Sequence, residues 1–215
     1  MTPDEVDSIP YYDEHGRVID HKTCERDEQT LVRRHVRPDH RVLELGSRYG
    51  TVSCMINAIL DDPTQHVAVD PATEVLPALM RNRESHGAQF HVLTGVIARV
   101  PMAVVQTPDF NQYATFTVPW DSPNTESITV EQVQEKYGVN FNCLVADCEG
   151  FLEQFFKENP AFLTQLDTVI FEADFKQRCN YDYVRWVLNM NGFKMVDQLA
   201  DGFQSVWTRT PAHQS

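Results

Sequence analysis

The sequence predicts an α/β fold built on a mostly parallel sheet that closes with an antiparallel hairpin. Three observations carry this reading. From Arg41 onward, short apolar runs of strand length alternate with longer amphipathic runs; several of the apolar runs end directly in a glycine or an acid; and the chain finishes with two apolar runs separated by Ala200-Asp201-Gly202. With 215 residues, 42% of them hydrophobic and 10% aromatic, the chain has enough apolar side chains for the core of one large domain.

Residues 1–22 are polar and acidic with no sustained period, and read as a loosely ordered N-terminal arm; residues 23–215 read as the folded domain. A helix is expected from Thr23 to about Val36. Thr23 would be its N-cap, Leu31 and Val32 its apolar residues, and Arg33, Arg34 and His35 its basic last turn, with Pro38 forcing the stop.

Five strands follow: Val42–Leu45, His66–Asp70, Phe90–Leu93, Cys143–Asp147 and Thr168–Glu172. Thr51–Leu60, Thr73–Ser85, Val130–Tyr137 closed by Gly138, Phe151–Lys157 and Tyr181–Met190 are the helices. Phe193–Leu199 and Phe203–Arg209 form the final hairpin, because an Asp-Gly pair suits its tight turn. The alternation breaks only at residues 100–127, an insert between strands three and four. It holds Pro101, Pro108, Pro119 and Pro123, and its aromatics Phe110, Tyr113, Phe116 and Trp120 could form a stacking wall, although an ordinary satellite core is the simpler reading for each.

Eighteen Lys and Arg against 31 Asp and Glu leave a formal charge of −13 spread along the chain, which argues against nucleic acid as a partner. No apolar run is long enough for a membrane helix, and the N-terminus lacks the basic-then-apolar order of a secretory signal. The expectation is therefore no membrane partner and a cytoplasmic protein. Five cysteines with no C-x-x-C and eight dispersed histidines argue for free thiols and against a zinc site. Oligomeric state is not legible.

The most informative segment is Val42-Leu43-Glu44-Leu45-Gly46-Ser47-Arg48-Tyr49-Gly50, a strand running through a glycine turn into a helix. Gly46 and Gly50 allow a tight turn whose backbone can approach a ligand. The spacing lacks the inner glycine of the G-x-G-x-x-G dinucleotide signature, so a pyrophosphate is disfavoured. Glu44, Gly46 and Ser47 offer acceptors for an amino group and hydroxyls. Asp70, at the end of the next strand, suits a ribose diol, and Gly95, after the third, lies where an adenine would be met.

Asp147-Cys148-Glu149-Gly150 follows the fourth strand and Phe171-Glu172-Ala173-Asp174 the fifth. Taken with the first turn and Asp70, these motifs resemble those of class I S-adenosylmethionine-dependent methyltransferases. The Asp-x-Glu-Gly after strand four, followed by a strand ending in Glu, resembles the FkbM-type family of these enzymes over about residues 41–209. Gly46-Ser47-Arg48 stands where that family commonly has Gly-Ala-Asn, and Asp70-Pro71 where it often has Glu-Pro.

The resemblance implies a Rossmann-like class I methyltransferase fold with a seven-stranded sheet. It implies S-adenosylmethionine as cofactor, bound by Glu44, Gly46, Ser47, Gly50, Asp70, Gly95 and Asp147, and an O-methyltransferase acting on a sugar or glycan hydroxyl. Asp147 is the candidate base, with Glu149 and Glu172 beside it. A divalent metal on Asp147, Glu172 and Asp174 is the less favoured mechanism, suggested by similar acidic positions in catechol-type enzymes. The alternatives are methylation of a small non-sugar metabolite, or a non-catalytic module that binds the cofactor or a glycan.

Overall fold

The computed structural model describes residues 1–106 and 115–209. Its centre is a seven-stranded sheet. In chain order the strands named here are β1 (Val42–Leu45), β2 (His66–Asp70), β3 (His91–Thr94), β4 (Met102–Gln106), β5 (Thr115–Pro119), β6 (Cys143–Ala146), β7 (Thr168–Glu172), β8 (Lys194–Leu199) and β9 (Gln204–Thr208). The central sheet runs β8-β9-β7-β6-β1-β2-β3, with β9 antiparallel to both its neighbours and the other pairs parallel. This is the class I methyltransferase topology that the sequence predicts. The helices are α1 (Arg26–His35), α2 (Thr51–Ile59), α3 (Leu76–Ser85), α4 (Val130–Tyr137), α5 (Leu152–Glu158) and α6 (Tyr181–Met190).

Strand alternation divides the core into two layers. Leu43, Leu45, Val67, Val69, Leu144, Ala146, Val169 and Phe171 point to one face, where they meet Leu152, Phe155 and Phe156 of α5 and Val184 and Leu188 of α6. Val42, Ala68, Cys143, Val145 and Ile170 point to the other, against Leu31 and Val32 of α1 and Cys54, Met55 and Ile56 of α2. Both faces being covered is why these strands read as continuous apolar runs, each large side chain contributing about 1.5–3 kcal/mol by leaving water.

Two local expectations change. The N-terminal arm is ordered where described: Thr2 caps a helical turn over Pro3–Val6, and Val6 and Tyr11 are buried in the second core layer, with Tyr11 stacked at 4.0 Å on the buried His86 ring. Helix α1 begins at Arg26, because Thr23 turns its hydroxyl back to Asp20 while Glu25 takes a left-handed conformation at the N-cap. Among the described residues no helix is long and apolar enough to cross a membrane, and the five cysteines form no disulfide.

The insert is a hairpin of β4 and β5. Phe116 packs edge-on against Phe175, under the Arg178 guanidinium, and Trp120 is 59% exposed, so the two do not form a wall. Phe110, Tyr113 and Pro108 lie outside the described residues.

The chain runs outward from β1 through β2 to β3, then returns to place β6 on the other side of β1. The crevice beyond these two strand ends is where open α/β sheets bind ligands. Gly46 sits there with φ +87, and a Cβ on it would lie 1.6 Å from the Asp147 carbonyl oxygen. The close approach that requires glycine is therefore to backbone, rather than to a ligand as the sequence suggests. Gly46→Ala is expected to destabilise the protein by more than about 3 kcal/mol, combining left-handed strain with a clash that only strand separation relieves. Denaturant titration checks this; a loss below about 1 kcal/mol would show that the two loops can separate freely.

Candidate active site

Above the ends of β1, β2 and β6 lies a cavity with about 780 Å³ of empty space, the open solvent at its mouth included. Gly46, Ser47, Asp70, Gly95, Asp147 and Glu149 line it, and so does a group that the sequence reading did not assign to the site: Glu25, Glu28, Arg48, Thr115, Thr117 and Cys148. Among the described residues, three of the six non-glycine residues with positive φ, Glu25, Arg48 and Glu149, are on this wall. Such conformations cost of order 1–3 kcal/mol each and persist where the surrounding structure holds them, commonly at functional sites.

Asp70 ends β2. One of its carboxylate oxygens accepts the Arg48 N–H at 2.7 Å and the other the Ala72 N–H at 2.8 Å, which fixes the carboxylate in the wall with lone pairs left for a diol. Burial pushes its pKa up, against those two N–H groups and the Arg48 charge, which favour the ionised form. The Ser47 hydroxyl, on a residue 5% exposed, has no hydrogen-bond partner. A buried orphan hydroxyl on a cavity wall is a polar group waiting for a ligand.

At the end of β6, Asp147 has one buried carboxyl oxygen with no partner. Burial raises its pKa well above the carboxylate range, and Glu172, Glu28, Asp174 and Glu149 raise it further. Glu149 is pushed up to about 9, first by burial and then by sharing a hydrogen bond with the neighbouring Asp174. Asp174 is also raised by burial, despite accepting from the Tyr181 hydroxyl at 2.8 Å and from Glu149. Asp147, Glu149 and Asp174 each bring an oxygen within 4.8 Å of the others, a donor type that hard divalent cations take. Glu172, expected in that set, accepts instead from the Gln204 amide at 2.8 Å, does not line the cavity, and is raised by burial to about 7.

Two further expectations are corrected. Glu44 is not on the cavity: strand alternation sends it to the opposite face of the sheet, where it is 1% exposed and 3.0 Å from the His66 ring nitrogen. Gly50 is the left-handed N-cap of α2, packed under Leu79, and belongs to the helix start.

No protein-family model and no curated protein matches the sequence. Solved structures do match in fold. A candidate tRNA (m1A22) methyltransferase from Streptococcus pneumoniae aligns with TM-score 0.52 and 14% identity over 87% of this chain and 72% of that one. A protein of the NADB-Rossmann superfamily from Streptococcus agalactiae aligns with TM-score 0.51 and 12% identity over 87% and 69%.

The first of these overturns the exclusion of nucleic acid drawn from net charge, since the same fold occurs in a chain described as acting on tRNA. Formal charge is a poor guide here for a physical reason as well. It counts Glu28, Asp147 and Glu149 as full negative charges, whereas burial raises the pKa of all three.

Carboxyls with raised pKa give stability a definite slope with pH. The unfolded chain releases these protons near the ordinary carboxylate value of about 4.3, while the folded chain retains them up to about 9 at Glu149. Between those limits the folded state binds more protons, so its stability falls as pH rises. The melting temperature of the ligand-free protein is expected to drop from about pH 5 to pH 9, with a shallower drop in Glu149→Gln. Thermal unfolding across that range checks it; equal slopes would remove Glu149 from the buried set.

Proposed function

We propose that this chain is an S-adenosylmethionine-dependent O-methyltransferase in which Asp147 takes the proton from an acceptor hydroxyl. The observation that carries this is the unpartnered Asp147 oxygen at the end of β6, in the cavity whose other wall is Gly46, Ser47 and Asp70. The donor set fits the cofactor: Asp70 for the ribose diol, the orphan Ser47 hydroxyl for a polar group, and Gly95 beside the base position. Bound there, S-adenosylmethionine supplies an electrophilic methyl group.

A hydroxyl is a weak nucleophile until its proton leaves, and a general base typically contributes about 10²–10⁴-fold. Asp147 has the open lone pair for that role, and Glu149 on the same loop can orient the acceptor. Thr115 and Thr117, alternate residues of β5, line the same cavity, and hydroxyl-bearing residues there suit a polyhydroxylated acceptor. The FkbM-type motif Asp147-x-Glu149-Gly150 supports a sugar or glycan hydroxyl as that acceptor. Against a non-catalytic binding module stands the unsatisfied oxygen itself, which holding the cofactor alone does not require.

Asp147→Asn keeps the shape of the side chain and removes its basicity. It is expected to keep cofactor affinity within about threefold while cutting turnover about 10²–10⁴-fold, measured by mass spectrometry of the methylated product from a panel of sugars, small hydroxylated metabolites and RNA. Wild-type turnover is expected to survive EDTA. Loss on chelation with recovery on added Mg²⁺ would overturn the base assignment and make Asp147, Glu149 and Asp174 ligands.

A further inference from the structure

The cavity wall contributed by the N-terminal part of the fold is acidic. Glu25 stands at the start of α1 in a left-handed conformation, held by the Thr51 hydroxyl of α2, and Glu28 follows one turn later, 3% exposed. Both line the same cavity as Asp147 and Glu149. Among the described residues, the cavity lining thus collects Glu25, Glu28, Asp70, Asp147 and Glu149 with one cationic residue, Arg48.

Ordinary packing does not explain this placement. Glu28 lies three and four residues before Leu31 and Val32, on the apolar side of an amphipathic helix, where an isolated carboxylate is costly to bury. The groups acting most strongly on it are Glu25, Glu172, Glu44 and Asp174, every one a carboxyl group. The complement to such a wall is a positive charge. The orphan Ser47 hydroxyl on the same cavity independently marks it as a ligand site.

We propose that Glu25 and Glu28 form a charge-selective wall that favours the sulfonium cofactor S-adenosylmethionine over its product S-adenosylhomocysteine, whose sulfur is uncharged. This rests on the cofactor reading above and goes beyond it by assigning the discrimination to residues outside the strand-end motifs. The two molecules differ by a methyl group and one positive charge, so an acidic wall is a direct means of holding the first and releasing the second.

The same wall makes binding proton-linked. The charged and titratable groups around Glu28 are Glu25 on its own element, Glu44 of β1 with His66 bonded behind it, Asp147 after β6, and Glu172 and Asp174 at and after the end of β7, with Glu149 and Arg48 on the same cavity. Burial first, and then repulsion from the neighbouring carboxyls, raises the pKa of Glu28 and so favours its protonated form. A cation favours the ionised form, so the bound state gives a proton to solvent, and affinity for the cation rises with pH. The uncharged sulfur drives less release.

Isothermal titration with S-adenosylmethionine and S-adenosylhomocysteine, from about pH 6 to pH 9 in buffers of different ionisation enthalpy, tests this on the wild-type chain. The expected result is greater proton release with the sulfonium ligand, and a preference for it that grows by up to about tenfold per pH unit. Glu28→Gln is expected to flatten that growth and reduce the release. A preference that does not change with pH, or a Glu28→Gln variant with the wild-type pH profile, overturns the inference while leaving the cofactor reading intact. Binding of neither ligand overturns both.

Discussion

The structure depends on the contact between the turn after β1 and the loop after β6. These adjacent strands leave the sheet side by side, and their backbones approach so closely at Gly46 and Asp147 that no side-chain carbon fits between them. Asp147 donates its N–H to Leu45 at 2.9 Å and Gly46 donates its own to Val69 at 2.9 Å, so the two loops are tied to the sheet before they diverge. The crevice they open is bounded by bare backbone on one side and by the Asp147 carboxyl on the other. Every other lining residue is placed relative to that junction: Asp70 from the next strand, Glu149 from the turn that follows, and Thr115 and Thr117 from the hairpin across the mouth.

Around this junction the protein accumulates acidic groups that a core would not hold. Glu28, Asp147, Glu149, Glu172 and Asp174 are all displaced upward in pKa, with burial the first cause in each case. The fold tolerates them because a raised pKa favours the uncharged form, and because Glu149 and Asp174 share a hydrogen bond. A cationic ligand favours the ionised forms instead, so the proposed cofactor and the acidic wall are linked through protons. The left-handed residues Glu25, Arg48 and Glu149 on the same wall indicate that local backbone comfort has given way to placing these groups.

The sheet was legible because its strands are buried on both faces and its helices carry clear stops: Val42–Leu45, Thr168–Glu172, Val130–Tyr137 and Tyr181–Met190 fall where apolar runs and glycines place them. The residues at strand ends, Gly46, Ser47, Asp70, Gly95 and Asp147, were legible for the same reason, since strand termini define the crevice. Glu44 was misplaced because the two-residue period of a strand sends it away from the face that Leu43 and Leu45 share. Glu25 and Glu28 were missed because acids in a first helical turn read as dipole partners; the available signal was an acid on the apolar stripe beside Leu31 and Val32. The insert's prolines suggested a loop and its aromatics a satellite core before a stacking wall; the loop reading gives way to a strand in which Thr115 and Thr117 line the cavity, while Phe116 between them is buried as a satellite core requires.

The central claim is that the β1–β6 crevice holds S-adenosylmethionine and not a dinucleotide. Paired calorimetric titrations of the purified chain with S-adenosylmethionine and with NAD test it most directly. The account predicts one S-adenosylmethionine per chain, with affinity lost in Asp70→Ala, and no measurable heat from NAD. Binding of NAD at the same stoichiometry, or S-adenosylmethionine affinity unchanged in Asp70→Ala, would contradict it.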